Sequence, residues 1–97
     1  MELGLRDRVA LVTGGSMGIG KASALALARE GSHIAICARG KELLDSVAAE
    51  IAAETDRTVL PIAVDLNKED DAQRFVREAV DHFGRLDILV NCAGSSP

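Results

Sequence analysis

A glycine-rich segment near the start of the chain has the residue types and the spacing that suit phosphate binding. The segment reads Thr13-Gly14-Gly15-Ser16-Met17-Gly18-Ile19-Gly20. It joins an apolar stretch, residues 9–12, to a stretch rich in alanine and leucine, residues 22–28. A strand, a glycine turn and a helix in this order form half of a βαβ nucleotide-binding unit. The unpaired N–H groups and the dipole of the helix's first turn would then face a bound anion.

Three of the glycines have distinct expected tasks. Gly14 lets the chain leave the strand sharply, because glycine adopts conformations that other residues avoid. Gly18 has no side chain to keep a pyrophosphate away from the backbone, and Gly20 allows the helix to pack close to the sheet. Together they predict a turn that can receive two linked phosphates.

Two other interpretations compete for the same segment. The glycines could form a tight turn that binds nothing. Residues 15–21 also read G-x-x-x-x-G-K, which is one residue short of a P-loop. A P-loop needs Ser or Thr at the next position to hold magnesium. Ala22 stands there and Ser23 comes one position too late, so the sequence argues against a P-loop phosphohydrolase.

The elements around this segment are predicted to alternate between strand and helix. Apolar runs predict strands over residues 9–13, 33–38, 58–64 and 86–91, and helical periodicity predicts helices over residues 20–30, 41–55 and 68–83. Gly31 is expected to follow the first helix as its C′ residue, and Asn67 to be the N-cap of the third. Strands that alternate with helices imply a parallel sheet with right-handed crossovers.

A polar residue follows or ends each predicted strand. These residues are Thr13, Arg39, Asp65 and Asn91. The carboxyl ends of parallel strands share one edge of the sheet, and ligands bind there where the strand order reverses. Pro61 lacks an N–H group, so we expect the third strand at an outer edge of the sheet. The sequence therefore predicts a ligand site lined by all four strand ends.

Length and composition restrict the class of protein. The chain has 97 residues, of which 47% are apolar and 27% charged, and a net charge of −4, which predicts one small globular domain. The acidic balance argues against a nucleic-acid partner, which would need a basic face. No uncharged apolar stretch approaches the ~20 residues that span a bilayer. The start has no signal-peptide core, so we expect no membrane partner and a cytoplasmic protein.

The pattern T-G-x-x-x-G-x-G over residues 13–20 resembles the cofactor motif of the short-chain dehydrogenase/reductase family, and the general sequence is similar to members such as the 3-oxoacyl-carrier-protein reductases. The resemblance covers residues 9–94. It implies an α/β fold, a doubly wound parallel (Rossmann) sheet, of which residues 1–97 supply the N-terminal dinucleotide-binding part of a single domain. With the edge position of the third strand, it gives four strands in the order 3-2-1-4 and three helices.

The resemblance also implies cofactor contacts. Asp65 and Leu66 match the family's pair after the third strand, whose aspartate meets the adenine amino group, although Asp65 could equally serve as a helix N-terminal charge. The segment from Asn91 to Gly94 is similar to the family's Asn-Asn-Ala-Gly segment beside the cofactor ribose, with Cys92 replacing the second Asn. The implied cofactor-binding residues are Gly14, Ser16, Met17, Gly18, Ile19, Gly20, Arg39, Asp65, Leu66, Asn91, Ala93 and Gly94.

The end of the second predicted strand favours NADP over NAD. An acidic residue about 20 residues after the glycines would bond a ribose 2′-hydroxyl. This chain has Ala38 there and Arg39 next, and a guanidinium pairs with a 2′-phosphate. A charge-assisted hydrogen bond contributes roughly 1.5–3 kcal/mol, which is enough to set a preference. The competing interpretation of Arg39 is a solvated surface charge.

The two cysteines and the missing tyrosine complete the sequence prediction. Cys37 and Cys92 form no zinc pattern, and one intervening strand would separate them by about 10 Å, so we expect free thiols and no metal site. Catalysis in the family uses a Tyr-x-x-x-Lys pair, a Ser and an Asn beyond the fourth strand, and this chain has no Tyr. We therefore assign no catalytic residue.

We expect a fragment of a longer oxidoreductase that is inactive by itself. The parent would transfer hydride between NADPH and a small-molecule carbonyl or alcohol, and it would form a homo-oligomer. The alternative is a non-catalytic, nucleotide-binding regulatory module.

Overall fold

The strands form one parallel sheet covered by helices on both faces. The computed structural model describes residues 6–14 and 18–92. The elements are β1 (Val9–Thr13), α1 (Gly18–Arg29), β2 (His33–Ala38), α2 (Lys41–Thr55), β3 (Val59–Ala63), α3 (Glu69–Phe83) and β4 (Ile88–Asn91). The strand order is β3-β2-β1-β4, and all three pairings are parallel. The predicted order 3-2-1-4 and the predicted doubly wound fold are confirmed.

Two apolar layers hold the helices to the sheet. Alternate residues of β1 face opposite sides, as the period of a strand requires. Ala10 and Val12 lie in a buried cluster with residues of α1 and α2, while Val9 and Leu11 lie in a second cluster with residues of α3. Every residue of β1 is buried, which explains why this strand reads as a continuous apolar run rather than an alternating one.

The outer edge formed by β3 is protected against further pairing. Pro61 stands in the middle of this strand, as the edge prediction required, and it removes one N–H group from the edge. The Arg74 guanidinium on α3 donates to the Ala63 carbonyl at 2.9 Å and also pairs with Glu78 at 2.8 Å. A proline and a charged side chain on the edge both discourage the addition of another strand.

The first helix lies slightly earlier in the chain than predicted, and it ends at Arg29 rather than at residue 30. It starts at Gly18 rather than at residue 20. At its other end Gly31 has a φ of 103°, the Gly31 N–H donates to Ala28 at 2.9 Å, and the Ser32 N–H donates to Leu27 at 3.1 Å. These two bonds define a Schellman motif, so the prediction of Gly31 as the C′ residue is confirmed.

The predicted N-cap of the third helix is wrong. Lys68, not Asn67, is the N-cap residue, and its side chain makes no capping bond. The Asn67 N–H instead donates to the carboxylate of Asp65 at 3.0 Å, while the Asp65 N–H donates to the carboxylate of Asp71 at 2.8 Å. Two aspartates therefore organise this turn, because their side chains accept backbone N–H groups of the segment that precedes the helix.

The strands β3 and β4 are shorter than predicted, and at β4 a side chain explains the difference. The Asp87 N–H donates to the Val9 carbonyl at 2.9 Å, and the Asp87 carboxylate accepts the Val9 N–H at 2.8 Å. The carboxylate thus takes the donor that a backbone carbonyl of β4 would otherwise accept. Arg85 holds the same carboxylate with two bonds of 2.8 Å.

In the part of the chain that the structure describes, the helices are too short or too polar to cross a membrane.

Candidate functional site

The carboxyl ends of the four strands lie along one edge of the sheet. At the centre of this edge Thr13 pairs in register with Cys37 of β2 on one side and with Asn91 of β4 on the other. Arg39 follows β2 directly. The Val64 N–H donates to the Ala38 carbonyl at 3.0 Å, which extends the pairing of β2 and β3 to the residue before Asp65. The four polar residues predicted from the sequence therefore lie at one edge.

The described residues on either side of the glycine segment suit an anion at the start of α1. Gly14 has a φ of 71° and its N–H donates to the Cys37 carbonyl at 2.9 Å, which fixes the point where the chain leaves the strand. Gly18 has a φ of 62°, and a Cβ built on it would meet no atom of the described residues within 4 Å. The first turn of α1 carries no acidic residue. Its N–H groups and the helix dipole therefore suit an anion.

The two residues after Gly18 differ in exposure, because Ile19 is exposed and Gly20 is buried. The side chain of Ile19 is 77% exposed, which is unusual for isoleucine and leaves an apolar surface beside the helix N-terminus. Gly20 is buried within α1, consistent with the close approach of helix and sheet expected from it.

A hydrogen-bond network joins β1 to β4 where the strand order reverses. The Thr13 hydroxyl donates to the Asn91 side-chain oxygen at 2.8 Å and accepts the Cys92 N–H at 2.9 Å. Thr13 is 8% exposed, so these bonds are partly protected from water. One hydroxyl therefore fixes the side chain of Asn91 and the backbone that follows it.

The end of β2 and the start of α2 carry two cations in different surroundings. Arg39 is exposed and has no hydrogen-bond or ion-pair partner among residues 6–14 and 18–92. Lys41, two residues later, pairs with Asp45 at 2.5 Å. Gly40 between them is the N-cap of α2 and makes no side-chain capping bond.

Asp65 is held in a defined turn at the end of β3. Its carboxylate accepts the Asn67 N–H, and its own N–H is bound by Asp71, so both the backbone and the side chain are restrained. The acidic residues in the first turn of α3 are Glu69, Asp70 and Asp71. Asp65 stands before that turn, N-terminal to the N-cap residue Lys68. Leu66 beside it is half-buried against the apolar cluster under α3.

Four predicted site residues lie outside the described residues: Ser16, Met17, Ala93 and Gly94. Cys37 and Cys92 are not joined in a disulfide, as predicted. Burial raises the pKa of the Cys37 thiol to about 11, which keeps it protonated at neutral pH. Within the described ranges no group of His, Cys, Asp or Glu side chains could hold a metal ion.

The sequence analysis did not predict the roles of two charged residues, Asp87 and Asp45, that bond to the strands or to the site. Asp87 bonds β1 to β4 at the edge opposite the site, and a charge inside the apolar run that leads into β4 was the available signal. Asp45 holds Lys41 beside the end of β2, and the i, i+4 spacing of opposite charges was the signal there.

Comparison with known proteins identifies the family. Residues 8–97 match the family model described as short chain dehydrogenase. The chain therefore belongs to the short-chain dehydrogenase/reductase family, a family of oxidoreductases, as the glycine pattern predicted.

The relatives are much longer than this chain. The 3-hydroxyacyl-CoA dehydrogenase type-2 of Drosophila melanogaster is 38% identical over 92 residues, which cover 95% of this chain and 34% of the relative. The 11-beta-hydroxysteroid dehydrogenase 1A of Arabidopsis thaliana is 45% identical over 91 residues, which cover 93% of this chain and 26% of the relative. This chain thus spans about a third of the length of the curated relatives it matches.

Solved structures share the fold. The L-sorbose reductase of Gluconobacter frateurii, complexed with NADPH and L-sorbose, superposes with a TM-score of 0.95 at 37% identity, covering 100% of this chain and 37% of that one. The alcohol dehydrogenase of the archaeon Thermococcus sibiricus, complexed with 5-hydroxy-NADP, has a TM-score of 0.83 at 34% identity, covering 87% of this chain and 36% of that one.

Proposed function

We propose that this chain binds NADP and supplies the cofactor-binding part of an oxidoreductase that interconverts a carbonyl and an alcohol. The observation that carries the proposal is Arg39, which is exposed directly after β2 and has no carboxylate partner in the described part of the chain. A carboxylate at this point would bond a ribose 2′-hydroxyl and repel a 2′-phosphate, whereas a guanidinium pairs with the phosphate. The NADPH and 5-hydroxy-NADP complexes of the two similar structures support the same cofactor.

The geometry of the strand ends fits such a cofactor at three further points. The missing side chain of Gly18, whose Cβ would meet no described residue, suits a pyrophosphate at the first turn of α1. The restrained carboxylate of Asp65 can accept a hydrogen bond from an adenine amino group. Asn91, fixed by Thr13, stands beside the point where the strand order reverses, which suits a ribose. The proposed contacts also include Gly14, Ser16, Met17, Ile19, Gly20, Leu66, Ala93 and Gly94.

The chemistry assigned to this chain is binding and orientation. A bound nicotinamide supplies or accepts a hydride, and a separate acid must deliver a proton to the carbonyl oxygen. The chain contains no tyrosine. Its lysines, Lys21, Lys41 and Lys68, all precede β4, so none matches the family's Tyr-x-x-x-Lys pair. We therefore assign no proton transfer to residues of this chain.

A second candidate is a nucleotide-binding regulatory module without chemistry of its own, since the contacts proposed above bind and orient a nucleotide and transfer no proton. Tyr and Lys encoded downstream in a longer reading frame would support the oxidoreductase, and a reading frame without them would support the module.

The preference for NADP can be tested by reversing one charge. In Arg39→Asp we expect the affinity for NADP⁺ to fall by about tenfold or more, because a phosphate contact is lost and a repulsion is added. The affinity for NAD⁺ should rise, since the new carboxylate can accept a bond from the 2′-hydroxyl. Isothermal titration calorimetry with both nucleotides measures the change.

Arg77→Asp is the matched control, because Arg77 is an exposed arginine of α3 at the same net charge change. Its nucleotide affinities should equal those of the wild type. An unchanged affinity of Arg39→Asp for NADP⁺ would contradict the proposal.

A further inference from the structure

The end of β2 carries a second cation whose availability is controlled by a neighbouring carboxylate. Lys41 is the first residue of α2 and stands two positions after Arg39, so their Cα atoms lie no more than about 7 Å apart. The Lys41 ammonium is bound to the Asp45 carboxylate one helical turn later, at 2.5 Å. The two cations that flank Gly40 therefore differ in their pairing, because among the described residues a carboxylate is bound to Lys41 and none is bound to Arg39.

The glycine between the two cations leaves the space beside them open. Gly40 has a φ of −81°, which any residue adopts, so the backbone does not require glycine here. A Cβ built on Gly40 would meet no atom of residues 6–14 and 18–92 within 4 Å, so packing against these residues does not require glycine either. Without a side chain at Gly40, no Cβ blocks an approach to the backbone between Arg39 and Lys41. Such an approach suits a compact dianion that contacts both groups.

The ion pair that holds Lys41 is weak enough to exchange. The Lys41 side chain is 73% exposed and the Asp45 side chain 43% exposed, and pairs in such surroundings contribute little stability in water. A phosphate dianion offers the ammonium more charge and more acceptor oxygens than one carboxylate does. Lys41 can therefore leave Asp45 for a phosphate at small cost, and Asp45 remains nearby as a repelling charge.

We propose that Lys41 is the second ligand of the NADP 2′-phosphate and that Asp45, by holding Lys41 and repelling the dianion, limits how strongly this chain prefers NADP over NAD. The inference rests on the proposed function, because it concerns the same cofactor. Asp45 is thus a specificity-determining residue that need not touch the nucleotide. Removing its charge should strengthen NADP binding, which is the opposite of the effect expected at a contact residue.

The test is a double-mutant cycle on the 97-residue chain, with NADP⁺ and NAD⁺ affinities measured by calorimetry. Asp45→Asn should bind NADP⁺ about two- to fivefold more tightly than the wild type, because the competing ion pair and the repulsion are removed. Lys41→Gln should weaken NADP⁺ by about tenfold. Both variants should leave the affinity for NAD⁺ unchanged, since NAD⁺ has no 2′-phosphate. In the double variant, Asp45→Asn should raise the NADP⁺ affinity by a smaller factor than it does in the wild-type background. The reason is that part of the effect of Asp45 is exerted through Lys41.

Glu54→Gln is the matched control for net charge. Glu54 is also a half-exposed acid of α2 that pairs with a cation, Arg29, at 2.9 Å. It lies nine residues after Asp45, about 13 Å along the helix, which exceeds the screening length of about 8 Å at physiological salt. The NADP⁺ affinity of Glu54→Gln should equal that of the wild type.

The outcomes separate this inference from the proposed function. If Arg39→Asp abolishes the preference for NADP⁺ while Asp45→Asn binds it no more tightly than the wild type, only the role of Asp45 is overturned. If Asp45→Asn raises the NADP⁺ affinity by the same factor in the Lys41→Gln background, the proposed exchange of Lys41 from Asp45 to the phosphate is overturned. A wild-type chain without any preference for NADP⁺ would overturn both proposals.

Discussion

Asp87 binds the start of β4 to the start of β1 through its carboxylate, and this contact depends on charge. The bonds from Arg85, with the Val9 N–H next, lower the pKa of Asp87 from 3.8 to about 2. The folded state therefore favours the carboxylate, so its contribution to stability is complete above about pH 3.8. That contribution is lost as the pH falls through about 2.

The substitution Asp87→Asn should remove this pH dependence. We expect the variant to be less stable than the wild type at neutral pH, with a difference in the free energy of unfolding that shrinks as the pH falls from about 3.8 to about 2. Urea unfolding at a series of pH values measures the difference. Asp81→Asn, which changes an exposed acid of α3 in the same way, is the control and should give a small difference. A constant difference for Asp87→Asn across this range would contradict the assignment.

Gly18 and Gly40 allow a comparison of backbone conformation alone, because a Cβ on either would meet no described residue while their φ angles differ. Gly18→Ala should cost about 1–2 kcal/mol of stability, because its φ of 62° is unfavourable for any residue with a Cβ. Gly40→Ala should change stability little, because the lost freedom of the unfolded chain and the poorer N-cap oppose each other. Thermal unfolding of the two variants decides the matter, and an equal loss in both would show that φ is not the cause.

The pairing of β1 with β4 depends at its carboxyl end on the hydroxyl of Thr13. The isosteric change Thr13→Val leaves the Asn91 side-chain oxygen and the Cys92 N–H without this partner, and we expect a loss of about 1–3 kcal/mol. Thr55→Val is the control, because the Thr55 hydroxyl only donates back to Ile51 within α2, at 2.7 Å. Denaturant unfolding should show a clear loss for the first variant and a small one for the second.

The elements themselves were largely predictable from the sequence, and their ends were less so. The bounds of β1, β2 and α2 match the prediction because apolar periodicity and flanking polar residues define them. The start of α3 and the start of β4 differ because Asp65, Asp71 and Asp87 bond backbone groups through their side chains. Such bonds depend on tertiary geometry, which local periodicity does not encode.

For the candidate site, the positions of the residues were predictable from the sequence, but their bonding partners were not. The common edge of Thr13, Arg39, Asp65 and Asn91 follows from parallel strands in a fixed order, so a correct topology places them. The partners of these residues did not follow from the sequence. The bond between Thr13 and Asn91 joins residues 78 positions apart, and the choice of Lys41 to pair with Asp45 leaves Arg39 unpaired among the described residues.

As a whole molecule, the chain is expected to bind a cofactor without turning it over. Its 97 residues contain no tyrosine to donate a proton to a carbonyl oxygen. NADPH oxidation monitored at 340 nm with a panel of aldehydes and ketones should show no rate above the enzyme-free reaction, while calorimetry with the same sample shows binding. Measurable turnover would refute the assignment of binding alone.

The central claim is that a nicotinamide dinucleotide phosphate binds at the carboxyl edge of the sheet, and a titration of the ¹⁵N-labelled chain with NADP⁺ tests it most directly. The account predicts that the amide signals of Gly18, Arg39, Asp65 and Asn91 shift together as NADP⁺ is added. The signals of His33 and Arg57, at the amino ends of β2 and β3 on the opposite edge, should stay in place. Shifts confined to the opposite edge, or no shift at saturating NADP⁺, would contradict the account.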